Sequence, residues 1–459
     1  MHHPRPTPAL LVLVALLSAA LGLGSSPAVA AAPAVGTTTA LVAPTGKAGL
    51  AAPFRATLRG DDAAALGGRA LTLQRSSSSS WSTVATVRTG ADGTATFSVV
   101  LPAGATTWRA VWAGDASYAG STSPTATATG QVLASTLTLD GPTSVVDERS
   151  VTLTGRWLAS DSSPVTGAAV AVQQRTGSTW TTRRTLRTSA TGRWSLAVTP
   201  RTDTTWRVTG AAGSWWRGAT SAAHTVDNRP AGTPVVLPAA APRPTALPAQ
   251  ARATGAGANA VVTTVPAAVW RSMVGRSWHR GCPIGRSSLR LLRVNYWGFD
   301  GYRYRGEMVL ATAVAGRAAA ALRDMYAQQL PIRSMYRVDR FGWSSRVRGA
   351  DDHASMRADN TSAFNCRWVV NKPGVMSPHA RGRAIDLNTW ENPYRSATGW
   401  VPNSWWSTRS HPRVAWRSAS HPVVRIWRAH GFRWTYGTGD SQHVDGRTAT
   451  VTVAGSFVG

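Results

Sequence analysis

The sequence predicts a multidomain protein in which two consecutive β-sandwich repeats precede an α+β domain with a small antiparallel sheet. At 459 residues the chain is too long for one ordinary domain and suits about three. A pattern in its first half recurs at an offset of 98 to 100 residues, which indicates a duplicated unit. Apolar residues at helical spacing appear after about Asn259, so the last part of the chain differs in fold class from the repeats.

Residues 1–30 have the pattern of a secretory signal peptide. Arg5 precedes a 16-residue apolar run from Ala9 to Gly24, and Ala28-Val29-Ala30 matches the A-x-A cleavage pattern. A membrane anchor is the alternative, but the run is shorter than the ~20 residues that span a bilayer. We therefore predict that the segment is cleaved and that the mature chain is secreted, extracellular or associated with the cell wall, without a membrane span.

Each copy of the repeat, predicted at 36–132 and 133–228, alternates apolar and polar residues in short runs. Such runs, separated by Gly, Asp, Ser and Thr clusters, are typical of antiparallel strands in a sandwich. Thr107-Trp108-Arg109 of the first copy corresponds to Thr205-Trp206-Arg207 of the second. The units resemble the immunoglobulin-like (Ig-like) or fibronectin-like modules of bacterial surface proteins. That resemblance implies little about function, because such modules serve as spacers at least as often as binders.

The segment 229–258 is rich in Pro and Ala and has almost no acidic residues. This composition predicts an extended, semi-rigid linker between the repeats and the last domain, residues 259–459.

Three elements are predicted within the last domain. Met308 to Gln329 places apolar residues at helical spacing, and Ile332 to Val338 is predicted to be a strand. A second helix is predicted from Ser420 to His430, with Pro422 in its first turn and Gly431 as the C-terminal cap. Helices and strands mixed without regular βαβ alternation favour an α+β fold.

The chain has two cysteines, Cys282 and Cys366. In an oxidising compartment a lone pair is more often a disulfide than a metal site, and two thiols do not complete a structural zinc centre. We predict that they bond to each other and tie the start of the last domain to its middle.

The chain is strongly basic, with 49 Lys+Arg against 21 Asp+Glu and a net charge of +28. One interpretation is codon bias that spreads Arg over the surface, and the other is attraction to a polyanion. Because the mature chain is predicted to lie outside the cytoplasm, anionic cell-wall polymers are the candidate partners and we expect no nucleic-acid partner.

Two short segments of the last domain combine histidines with carboxylates: Ser377-Pro-His379-Ala-Arg-Gly382-Arg-Ala384-Ile-Asp386 and Asp440-Ser-Gln-His443-Val-Asp445. A hydrolytic zinc site takes three protein ligands and leaves a position for water. His379, Asp386 and His443 would supply that set, and Asp440 could take a proton from the water. The alternative is a surface pair or a structural histidine. Asp351-Asp352-His353 is the rival cluster, and we expect it to be a solvated face.

The first segment resembles the S-x-H-x-x-G-x-A-x-D motif of the D-alanyl-D-alanine carboxypeptidase and L-alanyl-D-glutamate endopeptidase family of zinc peptidases. The second resembles that family's closing D/E-x-x-H motif, and the resemblance spans roughly 265–446. It implies the α+β fold shared with lysostaphin-type peptidases and the hedgehog signalling domain. It also implies Zn²⁺ as cofactor, held by His379, Asp386 and His443.

Further roles follow from the resemblance. Asp440 becomes the general base, and Ser377 and Arg367 become candidates for steadying the substrate or the developing oxyanion. Arg381 and Arg383 are alternative contacts for a terminal carboxylate. The family's closing motif usually runs on as His-Phe-Glu, whereas Val444 and Asp445 follow here. We expect this departure to affect the pocket's shape and not the ligand set.

The expected function is that of a secreted, monomeric zinc metallopeptidase that hydrolyses an amide bond of the peptidoglycan stem peptide, as a carboxypeptidase or an endopeptidase. The alternative is a non-catalytic cell-wall-binding or adhesive protein with a hedgehog-like zinc domain. Asp440 favours the enzyme, because a domain that only binds has no need of a base at that position.

Overall fold

The computed structural model describes residues 33–246, 250–370 and 372–446, and it is mostly β. The predicted signal peptide, residues 1–30, lies outside the described residues. Two compact units are formed: one runs to Ser135 and includes Ala212–Gly218, and the other contains Thr136–Ala211 and the chain from Ala219 onward. Within the described ranges, no helix is both long and apolar enough to cross a membrane.

The first unit is a β-sandwich whose two sheets share one hydrophobic core. Its strands are β1 Thr37–Val42, β2 Thr45–Lys47, β3 Ala51–Gly60, β4 Ala70–Ser77, β5 Ser80–Arg88, β6 Thr94–Val100, β7 Gly104–Gly114, β8 Ala119–Thr122 and β9 Ala126–Gln131. One sheet has the order β1-β3-β6, and the other has the order β2-β9-β7-β4-β5 with β8 beside β7. Phe54 of the first sheet contacts Trp108 of the second, with ring centroids 4.6 Å apart. Alternate residues of each strand therefore face a common interior.

The second repeat has the same strand order. Its strands are β10 Ser135–Leu137, β11 Ser144–Val146, β12 Val151–Ala159, β13 Ala169–Thr176, β14 Thr179–Arg187, β15 Arg193–Val198, β16 Thr204–Gly210, β17 Ala219–Thr220 and β18 His224–Arg229. Its sheets have the orders β10-β12-β15 and β11-β18-β16-β13-β14, with β17 beside β16. The indole of Trp206 donates to Thr204 over 2.9 Å, as the indole of Trp108 donates to Thr106. The predicted internal repeat is thus confirmed, and the two copies share this side-chain hydrogen bond as well as their strand order.

The last region mixes helices with small antiparallel sheets. Its elements are β19 Val261–Thr264, α1 Ala267–Met273, β20 Leu289–Trp297, β21 Arg303–Ala311, α2 Thr312–Ala327, β22 Trp343–Ser344, β23 Gly349–Ala350, α3 Asp352–Arg357, β24 Trp368–Val369, β25 Lys372–Met376, β26 Ala384–Asp386, β27 Tyr394–Ser396, β28 Gly399–Val401, α4 Pro422–Ala429, β29 Phe432–Arg433 and β30 His443–Gly446. Two three-stranded sheets have the orders β19-β20-β21 and β26-β30-β29.

One apolar core joins both of these sheets to α2 and α4. The buried face of α2 contributes Val314, Ala318 and Leu322, and α4 contributes residues such as Trp427. Ile385 of β26 enters the same core, as does Val444 of β30. Because side chains alternate along a strand, the neighbours of these two residues face the opposite side of the small sheet.

Two of the predicted elements need correction. Met308–Ala311 belongs to strand β21, which pairs with β20, and the helix begins at Thr312 instead. All four of these residues are buried on a strand covered on both faces, and such a continuous apolar run does not distinguish a strand from a helix. Ile332–Val338 is not a strand, because side chains satisfy its backbone: Asn360 accepts from the Tyr336 N–H over 2.7 Å.

The predicted second helix is confirmed with its caps. It runs from Pro422 to Ala429, and the His421 ring accepts a hydrogen bond from the Val423 N–H over 3.3 Å. Gly431 follows with φ of 78°, a left-handed conformation that suits glycine at a helix C-terminus.

The Pro/Ala-rich segment does not separate the last region from what precedes it. Apart from Arg229, which ends β18, its described residues form no helix or strand, but they hydrogen-bond to the last region at several places. Thr245 donates to the carbonyl of Arg357 over 2.7 Å, and the Trp390 indole donates to the carbonyl of Pro242 over 2.8 Å. Proline has no N–H, but its carbonyl remains an acceptor that neighbouring donors can use.

The predicted disulfide between Cys282 and Cys366 is present. It joins residues 84 positions apart and lies directly before Arg367, so it holds a residue of the candidate site as well as the fold.

Removing this disulfide is expected to destabilise the protein. A Cys282→Ser/Cys366→Ser double variant should lose about 2–5 kcal/mol of unfolding free energy, because the cross-link closes a long loop in the unfolded chain. Denaturant unfolding of the oxidised wild type and the variant measures the loss, and the reduced wild type is the matched control. Equal unfolding midpoints for all three samples would contradict the prediction.

Candidate metal centre and catalytic cleft

Strand pairing brings together two predicted ligands that are 57 residues apart. Strands β26 and β30 are antiparallel, and their register sets Asp386 directly opposite His443. Ile385 and Val444 point into the core, so the side chains of Asp386 and His443 emerge together on the other face. The two motifs therefore form one site because their apolar residues anchor the same small sheet.

The third predicted ligand, His379, lies on a tight turn just before β26. The turn is a single 3-10 helix, Pro378–Arg381, and the Ser377 hydroxyl accepts from the His379 N–H over 3.4 Å. Gly382 ends it with φ of 65°, and a Cβ there would lie 2.8 Å from the backbone nitrogen of Ala311. Glycine is required for both reasons. Gly382 therefore lets the chain turn tightly between the two candidate ligands His379 and Asp386.

His379, Asp386 and His443 form a buried cluster of metal-ligand type. Their donor atoms all lie within 4.8 Å of one another. Asp386 faces both rings, with its Oδ2 at 3.1 Å from His379 Nε2 and its Oδ1 at 3.0 Å from His443 Nδ1. Two imidazoles and one carboxylate make up a donor set typical of catalytic zinc sites.

In each imidazole, the outward nitrogen, which is the one that does not face Asp386, has a hydrogen-bond acceptor of its own. His379 Nδ1 lies 2.7 Å from the carbonyl of Ala363, and His443 Nε2 lies 3.1 Å from Oδ1 of Asp445. If each outward nitrogen carries the proton, the inward nitrogen presents a lone pair to the cluster, as metal-binding histidines do. The donor set and its outer partners therefore fit a zinc ion. Asp445, which follows His443 by two residues, thus orients a candidate ligand.

Asp440 lies beside this cluster at the start of the turn that leads to His443. Its carbonyl accepts from the His443 N–H over 3.3 Å, which fixes the spacing between the two residues. Oδ1 of Asp440 is buried and has no hydrogen-bond partner in the described part of the chain. Burial raises the pKa of the Asp440 carboxyl to about 7; His443 opposes this increase and Asp386 adds to it. A carboxyl group that holds a proton near neutral pH is suited to acid–base chemistry.

Arg367 reaches the cleft and forms an ion pair that the sequence did not suggest. Its Nη2 lies 2.7 Å from Oδ2 of Asp352, and both side chains are almost fully buried. The expectation that Asp351-Asp352-His353 is a solvated face is wrong for Asp352. Asp351 caps helix α3 by accepting from the Ala354 N–H over 2.9 Å, and the next residue turns inward. The ion pair leaves the buried Nε of Arg367 without a partner among the described residues.

These side chains line one cavity of about 410 Å³. The six predicted site residues all belong to its lining: Asp440, Arg367, Ser377, His379, Asp386 and His443. Arg381 is instead exposed, and the cations at the rim are Lys372 and Arg395.

Several lining residues were not predicted to belong to the site, among them Asp352, Tyr394 and Gln442. Gln442 lies within the second motif and Tyr394 follows the first, and this proximity was the signal that could have singled them out. Asp352 was expected to belong to a solvated rival cluster, and its separation from both motifs gave no reason to place it in the cleft.

A family model described as D-alanyl-D-alanine carboxypeptidase matches residues 370–446. The matched segment contains the three candidate ligands, Ser377 and Asp440, and it begins just after Arg367. No curated protein matches the chain.

Several solved structures show a distant likeness to this chain. The D0-D1 domain of intimin is 16% identical over 42% of this chain and 98% of its own, with a TM-score of 0.17. The Yersinia pseudotuberculosis adhesin InvE is 14% identical over 42% of this chain and 58% of its own, with a TM-score of 0.22. Invasin, a bacterial integrin-binding protein, is 16% identical over 58% of this chain and 47% of its own, with a TM-score of 0.27. At these scores the likeness carries no conclusion about this protein.

Proposed function

We propose that this protein is a zinc-dependent peptidase that hydrolyses an amide bond in the peptide part of peptidoglycan. The observation that carries the proposal is the buried His379–Asp386–His443 cluster, which shares a cavity with an unpartnered carboxylate, Asp440. The match of residues 370–446 to a D-alanyl-D-alanine carboxypeptidase model supports the substrate class.

The candidate ligands and Asp440 have distinct roles in this chemistry. His379, Asp386 and His443 would hold zinc, which would supply Lewis acidity and lower the pKa of a nearby water toward about 7. Asp440 takes a proton from the water that attacks the carbonyl carbon and returns it to the nitrogen as the C–N bond breaks. The products are a carboxylic acid and an amine, so the proton taken from water is accounted for.

The cations and hydroxyls of the cleft hold the substrate. Arg367 donates to the carbonyl oxygen as negative charge develops on it, a task suited to a guanidinium whose other side is fixed by Asp352. Ser377 caps the turn of His379 and presents its hydroxyl to the same cavity.

We further propose that the protein acts at the cell wall after export. The signal-peptide pattern in residues 1–30 supports export, and so does the disulfide, because disulfides persist in oxidising compartments. A net charge of +28 would favour residence among anionic wall polymers.

The test is zinc-dependent cleavage of a stem pentapeptide that ends in D-alanyl-D-alanine. We expect the purified chain to cut it with zinc and not with a chelator, and mass spectrometry of the products identifies the bond. Loss of one alanine indicates a carboxypeptidase, and internal cleavage indicates an endopeptidase. Intact peptide despite one equivalent of bound zinc would contradict the proposal and favour a non-catalytic wall-binding protein.

A further inference from the structure

The side chain of Tyr394 lines the candidate cleft, although Tyr394 belongs to neither of the two sequence motifs. The residue begins strand β27 and lines the same cavity as His379, Asp386, His443 and Asp440. Its hydroxyl oxygen is buried and has no hydrogen-bond partner among the described residues. A buried hydroxyl without a hydrogen bond is energetically unfavourable, so it is expected to find a partner when the cleft is filled.

The backbone holds Tyr394 in a fixed relation to the proposed base. Tyr394 and Asp440 form an antiparallel bridge, and the N–H of Ser441 donates to the carbonyl of Pro393 over 3.4 Å. Strand β27 pairs with β28, so the tyrosine lies on a hairpin and not on a free loop. A donor on such a support keeps its position as the reaction proceeds.

The surroundings of the hydroxyl keep its proton in place. Burial raises the pKa of Tyr394 to about 12; the carboxylate of Asp352 adds to the increase, and Arg367 opposes it. The side chain is therefore a neutral hydrogen-bond donor at any pH at which the protein would work.

Some polar side-chain atoms of the cleft have no hydrogen-bond partner among the described residues, and they match the donor and acceptor of an amide. Tyr394 and Arg367 each offer a buried donor, and Asp440 offers a buried acceptor. A peptide bond brings one strong acceptor, its carbonyl oxygen, and one N–H. Two donors can converge on the carbonyl oxygen, whose capacity to accept hydrogen bonds grows as it becomes an oxyanion.

We infer that the Tyr394 hydroxyl donates a hydrogen bond to the carbonyl oxygen of the scissile amide and, together with Arg367, stabilises the negative charge that develops there. The inference rests on the proposed function and adds to it a catalytic residue that touches the substrate. No proton leaves the tyrosine in this role.

Tyr394→Phe removes the hydroxyl and keeps the ring, and Tyr118→Phe in the first sandwich is the matched control. With the stem pentapeptide, we expect kcat of Tyr394→Phe to fall about 100-fold while KM changes less than about threefold. Bound zinc should remain at one equivalent. Tyr118→Phe should behave as wild type.

A binding measurement separates this role from a structural one. A phosphinate analogue of the pentapeptide mimics the tetrahedral oxyanion, whereas the cleaved peptide product does not. By calorimetry, Tyr394→Phe should weaken the phosphinate by about the factor lost in kcat/KM and leave product affinity unchanged. Equal weakening of both ligands would indicate a structural role and overturn the inference.

The remaining outcomes separate the inference from the proposed function. An active wild type whose Tyr394→Phe variant keeps both kcat and phosphinate affinity overturns the inference alone. A wild type that neither cleaves the peptide nor binds the phosphinate overturns both.

Discussion

His379→Ala is expected to abolish zinc-dependent hydrolysis and to lower zinc affinity by more than about 100-fold. Loss of even an outer partner of a metal ligand costs about 10–100-fold in affinity, and removal of a ligand costs more. Only Asp386 and His443 would remain of the buried cluster, which leaves too few ligands for a catalytic zinc site. Competitive titration against a chelator of known affinity measures the loss.

Two further variants make this measurement specific. Asp445→Asn weakens the carboxylate that faces His443 Nε2, so it should give an intermediate loss of about 10–100-fold. His430→Ala is the matched control, because His430 lies away from the cleft and pairs with Asp324 at 2.8 Å. Unchanged zinc affinity in His379→Ala, with the fold intact by circular dichroism, would contradict the assignment of the ligand.

The sequence was a better guide to the residues that meet in the candidate cleft than to the helices and strands that hold them. His379, Asp386 and His443 were predicted as one metal cluster because the two motifs that contain them, in this order, resemble those of a zinc-peptidase family. Their convergence depends on the register of β26 and β30, which a separation of 57 residues does not determine. The resemblance to a known family therefore supplied what periodicity alone could not.

Asp352 and the start of α2 were mispredicted for a common physical reason. Asp352 follows the helix-capping Asp351, and two adjacent acids at a helix start are ordinarily solvated. Only the fold shows that the second one is buried against Arg367. The boundary of α2 was misplaced for a related reason: buried strand residues before Thr312 continue the apolar spacing of the helix. Tertiary burial overrides local pattern in both cases.

Asp440→Asn is expected to lower kcat by about 100- to 10,000-fold, the range in which a positioned general acid–base group acts. Asparagine nearly preserves the shape of the side chain but does not take up a proton. Because Asp440 is not one of the three clustered donors, bound zinc should stay at one equivalent. KM should change less than about threefold, since the lost interaction belongs to the transition state.

Single-turnover rates and zinc content measured on the same preparations decide between a base and a ligand. Asp324→Asn, which alters a half-exposed carboxylate paired with His430, is the matched control and should be as active as wild type. Loss of zinc from Asp440→Asn would make Asp440 part of the metal site. Retained activity would show that no base is needed at this position. The presence of Asp440 would then no longer favour an enzyme over a wall-binding protein. A large fall in kcat with zinc in place supports proton transfer by Asp440, which a protein that only binds the wall would not require.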